Sequence, residues 1–559
     1  MIRKLYMQSL IKKALFATVY LVFVCSLTSA ETNILPVLSS NKWSYSKISS
    51  DGTIQISKDN VIKLVKSKST KELSIKTTIN SNGVAPLNLN VNAKSPDKGV
   101  AFVYIVGRNK DKKWQIWSSP RPISLSSKWE NISVKFYPLE STKYLEVVLA
   151  SKKGTVFYKQ PVLRNVDIFA ETDPGRKKQE FWINMDYNDE VAYCHNVGYK
   201  TYEEKEIAAF FKQCKKSNVT GVLWRISVMG QVSYRSKAAT VFPGRSPFDK
   251  LNKSGKLLAG IMKRIDPLQV AVSEARKNGI KIYVWVTISD EMGLNKKIPY
   301  HLQPEILIKH PEYSLLDKNG KPMKGTLCYS LPEVRKYRLD MIKELLAYKA
   351  DGIYLCTRTH SFFYNTDSGY QYGYNKPIVE AYKKRYGKNI LKEKFDKEKW
   401  LKLRAEGLDI FVKQAAELIH KSGQKLMFGL KAMNKEERGW PYGKARMNWK
   451  KWITSNWVDS VLVGHYLVSC HQILRDTQKY RTIAQPSQKI YFWGQMVHYQ
   501  QKRCIFMKEL EPNVIASAFA GANGTMYHEA INLEELKNAK KYFTPLKELY
   551  LKINSVLNK

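Results

Sequence analysis

From Phe181 onward the chain repeats one unit, a short apolar run followed by an amphipathic stretch, and this alternation constrains the fold more than any other feature. Eight such runs recur: FWINMDY from 181, GVLWRIS from 221, KIYVWVTI from 281, DGIYLCTR from 351, KLMFGLKA from 425, SVLVGHYL from 460, IYFWGQM from 490 and GTMYHEA from 524. Each is too short for a helix and apolar on both faces, as a buried parallel strand must be. Helical spacing appears between them. Ile207, Phe210, Phe211 and Cys214 form one stripe, which makes Cys214 a core residue. Leu408, Phe411, Val412, Ala415, Leu418 and Ile419 form another, followed by Gly423 as a stop signal. Strands alternating with helices predict a parallel sheet, and eight units over residues 181–559 predict a (β/α)8 barrel with long loops.

Residues 31–170 follow a different rule. LSIKTTI, LNLNVNA, VAFVYIVG, WQIWSSP, WENISVKFYP, YLEVVLAS and GTVFYKQPVLRNVDIF are short, rich in β-branched and aromatic residues, and separated by Gly, Pro, Asn, Asp or Ser. This pattern predicts an all-β sandwich. The charged segment 171–180, ETDPGRKKQE, holds a Pro-Gly turn and reads as the linker between the two domains.

The first thirty residues stand apart from both. Arg3, Lys4, Lys12 and Lys13 precede the apolar run 14–27, and Thr28-Ser29-Ala30 offers a cleavage site before Glu31, so residues 1–30 read as a signal peptide. Export to the periplasm or the medium follows, with no stable membrane insertion after cleavage. The formal net charge is +43, spread along the whole chain. Such a surface concentrates polyanions near it. Nucleic acid would be the default partner for a cytoplasmic chain, but export and the absence of a nucleic-acid motif favour an anionic polysaccharide. After residue 30 the cysteines are Cys194, Cys214, Cys328, Cys356, Cys470 and Cys504, with no CxxC pair. Neither His-x3-His nor HExxH occurs, so no metal or other cofactor is expected. Spacing leaves disulfide pairing and oligomeric state open.

The order of HPEYSLLDKNGKP (310–322), LPEVRKYRLDMIKELLAY (331–348) and ADGIYL (350–355) resembles the family-10-like glycosyl hydrolases, bacterial and mostly exported (β/α)8 proteins. YGYNKPIVEAYKKRYG and FDKEKWLKLRAEGLDIFV extend the likeness, which spans roughly residues 180–530. It implies a glycosidase-like barrel. The last sandwich strands, near WENISVKF and GTVFY, resemble those of jelly-roll carbohydrate-binding modules, in which exposed aromatics stack on sugars; Trp114, Trp117 and Tyr158 are the candidates, with core packing the alternative. The departures are equally specific. The glycoside hydrolase clan that includes true family 10 carries catalytic glutamates at the ends of strands 4 and 7, where this chain has LCTRTH and WGQMVH. The family-10-like pattern DGI-x-x-D is met by Asp351, Gly352 and Ile353, but Cys356 replaces the second aspartate.

Barrel active sites form where strands end, and the candidates are named accordingly. Hydrolysis of a glycosidic bond calls for two carboxylates. Glu529 at strand 8 is the first, with Asp290, Glu291 or Asp186 as the second. Glu291 and Asp290 have the alternative of capping a helix or pairing with a basic neighbour, and Asp186 that of binding Arg225. Substrate-binding candidates are Arg225, Arg235, Arg358, His360, Lys431, His465, Gln495, His528 and Trp493. Arg358 and His360, two residues apart on an extended segment, share a side and suit a sulfate or carboxylate oxygen; a structural ion pair is the other reading of Arg358. Cys356 shares that parity and reads as an apolar filler rather than a nucleophile. The expected function is an exported glycoside hydrolase that cleaves an anionic polysaccharide, sulfated polymers included, by carboxylate acid/base chemistry. The alternative is a catalytically silent polysaccharide-binding protein on the same fold.

Overall fold

The computed structural model describes residues 33–36, 42–45, 52–57, 59–66, 73–81, 86–118, 122–136, 138, 142–166, 179–194, 199–228, 230–288, 291, 304–357, 371–430, 437–438, 445–464, 477, 479–495, 497–498, 503–504, 513–514, 517–518, 521–528, 530, 547–548, 551 and 554. The signal peptide proposed for residues 1–30 and most of the linker lie outside them. The chain divides into two compact units near residue 173.

The first unit is all β: β1 (Trp43–Tyr45), β2 (Gly52–Ile56), β3 (Val61–Lys66), β4 (Leu73–Asn80), β5 (Leu87–Lys94), β6 (Val100–Arg108), β7 (Trp114–Trp117), β8 (Ile123–Ser124), β9 (Glu130–Phe136) and β10 (Tyr144–Asn165). Its strands form two antiparallel sheets that share β10. One half of β10 pairs with β4 and β6, and the other half pairs with β3 and β5. The sequence reads this segment as two strands. In the structure it is one strand of 22 residues, because a register slip between Ser151 and Lys153, with Gly154 at φ +70°, bends the strand without ending it. β2 and β3 were not singled out in the sequence, although β3 alternates buried and half-buried residues along its length. Ile62, Leu64, Ile75, Leu89, Val91, Ile105, Val147, Leu149 and Val156 are fully enclosed in the sandwich core. Tyr158 joins them, its hydroxyl donating to the Ala150 carbonyl at 2.6 Å, whereas Trp114 is 59% exposed.

The second unit is a closed barrel of eight parallel strands: β11 (Glu180–Asp186), β12 (Gly221–Arg225), β13 (Lys281–Thr287), β14 (Gly352–Cys356), β15 (Lys425–Leu430), β16 (Ser460–Val463), β17 (Lys489–Gln495) and β18 (Gly524–His528). They are the eight apolar runs of the sequence, in order, with β18 pairing back to β11. The helices named below are α1 (Tyr187–Tyr193), α2 (Glu204–Lys216), α3 (Lys253–Arg264), α4 (Pro267–Asn278), α5 (Pro332–Ala347), α6 (Lys376–Tyr386) and α7 (Lys397–Lys421). Ile207, Phe210, Phe211 and Cys214 are buried on α2 as their spacing requires. Gly423, at φ +78°, follows the end of α7. Alternate strand residues fill the barrel: Trp182, Leu223, Tyr283, Trp285, Tyr354, Cys356, Met427, Leu462, Tyr491, Trp493 and Met526 form one buried cluster.

The N-terminal ends of the strands are held in register by side chains. Asp351, just before β14, accepts the Ile282 backbone N–H at 2.9 Å. Asp459, before β16, accepts from Leu426, and Asn523, before β18, accepts from Ile490, each at 2.8 Å. Gly352 is required beside this clamp, since a Cβ there would sit 2.4 Å from the Lys425 carbonyl oxygen and against the Tyr283 ring. The Asp-Gly of the family-like motif is therefore a register device. At the same end Glu180 is buried and receives Lys489 Nζ at 2.5 Å, Trp182 Nε1 at 2.9 Å and the Tyr491 hydroxyl at 2.9 Å. Desolvation pushes the Glu180 carboxyl upward, but its bond and charge interaction with Lys489 prevail and hold it below its ordinary value.

Candidate active site

Inward parity carries five polar side chains to the C-terminal ends of three adjacent strands and their neighbour: Asn184 and Asp186 on β11, Arg225 on β12, Thr287 on β13 and His528 on β18. All five are buried. Arg225 Nη1 donates to Asp186 Oδ2, and its guanidinium lies 5.3 Å from the centre of the Trp285 ring. His528 Nδ1 is 2.9 Å from Asn184 Oδ1. An amide oxygen can only accept, so Nδ1 carries the proton and, in the neutral ring, Nε2 is the basic nitrogen. The imidazole leans on Trp493 with ring centres 5.1 Å apart. Among the described residues, Asp186 Oδ1, Asn184 Nδ2, Trp285 Nε1 and Thr287 Oγ1 have no hydrogen-bond partner although buried. Each orphaned group costs about 1–3 kcal/mol, so a cluster of them on one arc of the barrel is a site built to receive polar atoms.

The structure distributes the sequence candidates unequally. Asp186, Arg225, His528 and Trp493 come together in this arc. Glu291 does not join them by any described contact: its Oε1 is bound by Arg338 of α5, and both side chains are buried. Arg235 lines a surface groove of about 570 Å³ with Glu204, Arg264, Asp266, Gln269 and Tyr348, its backbone N–H on Asp266. Gln495 ends β17 opposite His528; its side chain lies outside the described residues, as do Glu529, Asp290, Arg358, His360, Lys431 and His465. Cys356 is fully buried in the barrel core. Asn184, Thr287 and Arg338 were not singled out in the sequence. Asn184 shares parity with Asp186, which is a readable signal. Arg338 interrupts the buried stripe Val334, Met341, Ile342 and Leu345, and a lone cation in such a stripe implies a buried partner. Among the described residues no three His, Cys, Asp or Glu side chains gather as a metal site.

The model of the glycosyl hydrolase-like 10 family matches residues 182–491, from the third residue of β11 into β17. This chain belongs to that family. Its glycosidase-type barrel is thus matched through most of its strands, and β18 with His528 lies beyond the match. No curated protein matches the sequence. Among solved structures, the glycoside hydrolase domain of PgaB (BpsB) from Bordetella bronchiseptica aligns at 11% identity and a TM-score of 0.43, over 66% of this chain and 99% of that one. The CBM22-1–GH10 modules of Clostridium thermocellum xylanase 10B align at 9% identity and 0.31, over 90% and 91%. The enzymatically active domain of tailspike protein 4 from bacteriophage CBA120 aligns at 10% identity and 0.21; 24% of this glycosyl hydrolase-like chain is covered, and it spans only 21% of the phage domain.

Proposed function

We propose that this protein is an exported glycoside hydrolase that cleaves O-glycosidic bonds in a sulfated or uronate polysaccharide at the C-terminal end of its barrel. The observation that carries the reading is the buried polar arc of Asn184, Asp186, Arg225, Thr287 and His528 beside Trp285 and Trp493, in a barrel of a glycosyl hydrolase-like family. In this reading Asp186, with Oδ2 held by Arg225, presents Oδ1 as an acceptor, and Glu529 or Asp290 is the second carboxylate that glycoside hydrolysis requires. His528 Nε2 and the side chains of Arg358, His360, Lys431 and His465 bind the sugar and its anionic substituents. Glu291, committed to Arg338, positions the loop that follows β13 rather than the substrate.

Release of reducing ends from neutral, uronate and sulfated polymers tests this. The wild type is expected to act on at least one anionic polymer, and E529Q and D186N to lower that rate by about 100-fold or more. The exported protein should begin at Glu31 when its N-terminus is sequenced. One observation favours the alternative of a silent binding protein: both described carboxylates among the candidates are already bound by arginine. Retention of an anionic polymer in affinity gels, with no product from any polymer and E529Q identical to wild type, would establish that alternative.

A further inference from the structure

The second sheet of the all-β unit turns an unusual face outward. Cross-strand rows run through β2, β3, β10, β5 and β9: Gln55–Lys63–Phe157–Lys94, then Val61–Lys159–Asn92–Asn131, then Val162–Asn90–Ser133, then Arg164–Asn88–Lys135. Trp129, one residue before β9, continues the first row beside Lys94. No carboxylate occupies any position in these rows. None of Lys63, Lys94, Lys159 and Arg164 is ion-paired among the described residues. The other sheet is built differently: there Glu146 neutralises both Lys76 and Arg108, each at 3.1 Å.

The rings on this face hold the cations. Lys159 Nζ lies 4.4 Å and Lys94 Nζ 4.8 Å from the Trp129 ring centre. Lys94 and Lys63 flank Phe157 at 5.7 and 5.9 Å. Each such contact is worth about 0.5–1 kcal/mol at an exposed site, enough to restrict a lysine stem but not to neutralise its charge. Lys63 and Lys94 stand one strand to either side of Phe157, which puts their backbones about 10 Å apart across the sheet. Asn88, Asn90, Asn92 and Ser133 line the remaining rows with hydrogen-bonding groups suited to sugar hydroxyls.

We propose that this face binds a polysaccharide that carries repeated sulfate or carboxylate groups, with Lys63, Lys94, Lys159 and Arg164 reading the anions and Trp129 and Phe157 positioning the lysines. Charge complementarity selects the partner: four cations with no ion pair among the described residues, interleaved with amides, fit an anionic, hydroxyl-rich chain. The substrate class is shared with the function proposed above, but the site is separate, and its test reads binding rather than cleavage.

The full-length protein is run in affinity gels containing a sulfated galactan, a polyuronate or a neutral glucan. Retardation is expected with one or both anionic polymers, which separates sulfate from carboxylate reading, and not with the neutral one. K94Q/K159Q should weaken binding about tenfold and flatten its salt dependence. K383Q/K384Q, an equal charge change on exposed α6, should stay within about twofold of wild type. W129A, which keeps every charge, should weaken binding without altering the salt slope. Equal losses from both double variants would assign binding to diffuse charge and overturn the proposal. So would variant-sensitive binding of single-stranded oligonucleotides or anionic vesicles that exceeds binding of every polysaccharide. If no fragment is hydrolysed while the K94Q/K159Q effect persists, the binding face stands and the hydrolase reading fails.

Discussion

Asp186 and Glu291 each hold one oxygen against a guanidinium, yet they face different surroundings. Asp186 meets Arg225 across two neighbouring barrel strands, beside Trp285 and the other orphaned polar groups. Glu291 meets Arg338, which arrives from helix α5 and also approaches the Thr287 carbonyl. Removing one partner of such a buried pair strands the other charge. R338M is therefore expected to destabilise the protein by about 3–5 kcal/mol in urea titration, and R338M/E291L to recover most of the loss. Equal losses in the single and double variants would show that packing, not charge, is what Arg338 supplies. A buried thiol offers a second residue-scale test. Burial pushes the Cys328 thiol up to about 11, so at neutral pH it should resist iodoacetamide until the protein unfolds, as peptide mapping would show.

At the scale of elements, the strand ends divide the labour. The N-terminal ends carry the register clamps and the Glu180 cluster, and the C-terminal ends carry the polar arc. D351A should leave the Ile282 N–H unpaired and cost about 1–3 kcal/mol without changing substrate preference. An altered product pattern from D351A would contradict its assignment as a register device. The Glu180 carboxyl is depressed in the folded state, so its contribution is present above its ordinary value of 4.5 and is lost as pH falls through the lower folded value. Urea midpoints measured from about pH 5 to pH 3 should fall less steeply in E180Q than in wild type. The all-β unit shows the same dependence on backbone detail. One bulge near Gly154 lets β10 serve both sheets, a connection that two separate strands would have had to make with a turn.

For the whole molecule, the net charge of +43 is not spread uniformly in effect. Many lysines and arginines are spent in local pairs, such as Arg264 with Glu203 and Lys343 with Asp340. On the outer face of the second sheet, Lys63, Lys94, Lys159 and Arg164 have no ion pair among the described residues. Binding of an anionic polymer should therefore weaken with added salt, while unfolding midpoints, governed by the cores, should change little over the same range. A parallel collapse of stability and binding with salt would show that the surface charge serves the fold instead.

The eight apolar runs, the helical stripes of α2 and α7 and the all-β character of the first unit are local patterns of period and composition, so the sequence alone determined the architecture and the family-like stretch within it. Side-chain direction within a strand is fixed by counting, and the sequence offered the pairing of Asp186 with Arg225 only as one alternative. What counting cannot supply is which groups meet across strands distant in sequence. His528 binds Asn184, more than three hundred residues earlier, only because the barrel closes β18 against β11. That the basic neighbour of Glu291 is Arg338 follows only once a helix brings it there, and the lysine–tryptophan face exists only once β3, β10, β5 and β9 lie side by side. Sequence patterns record what each residue needs from its own element; tertiary closure decided the partners, and with them the chemistry each charge has left to offer.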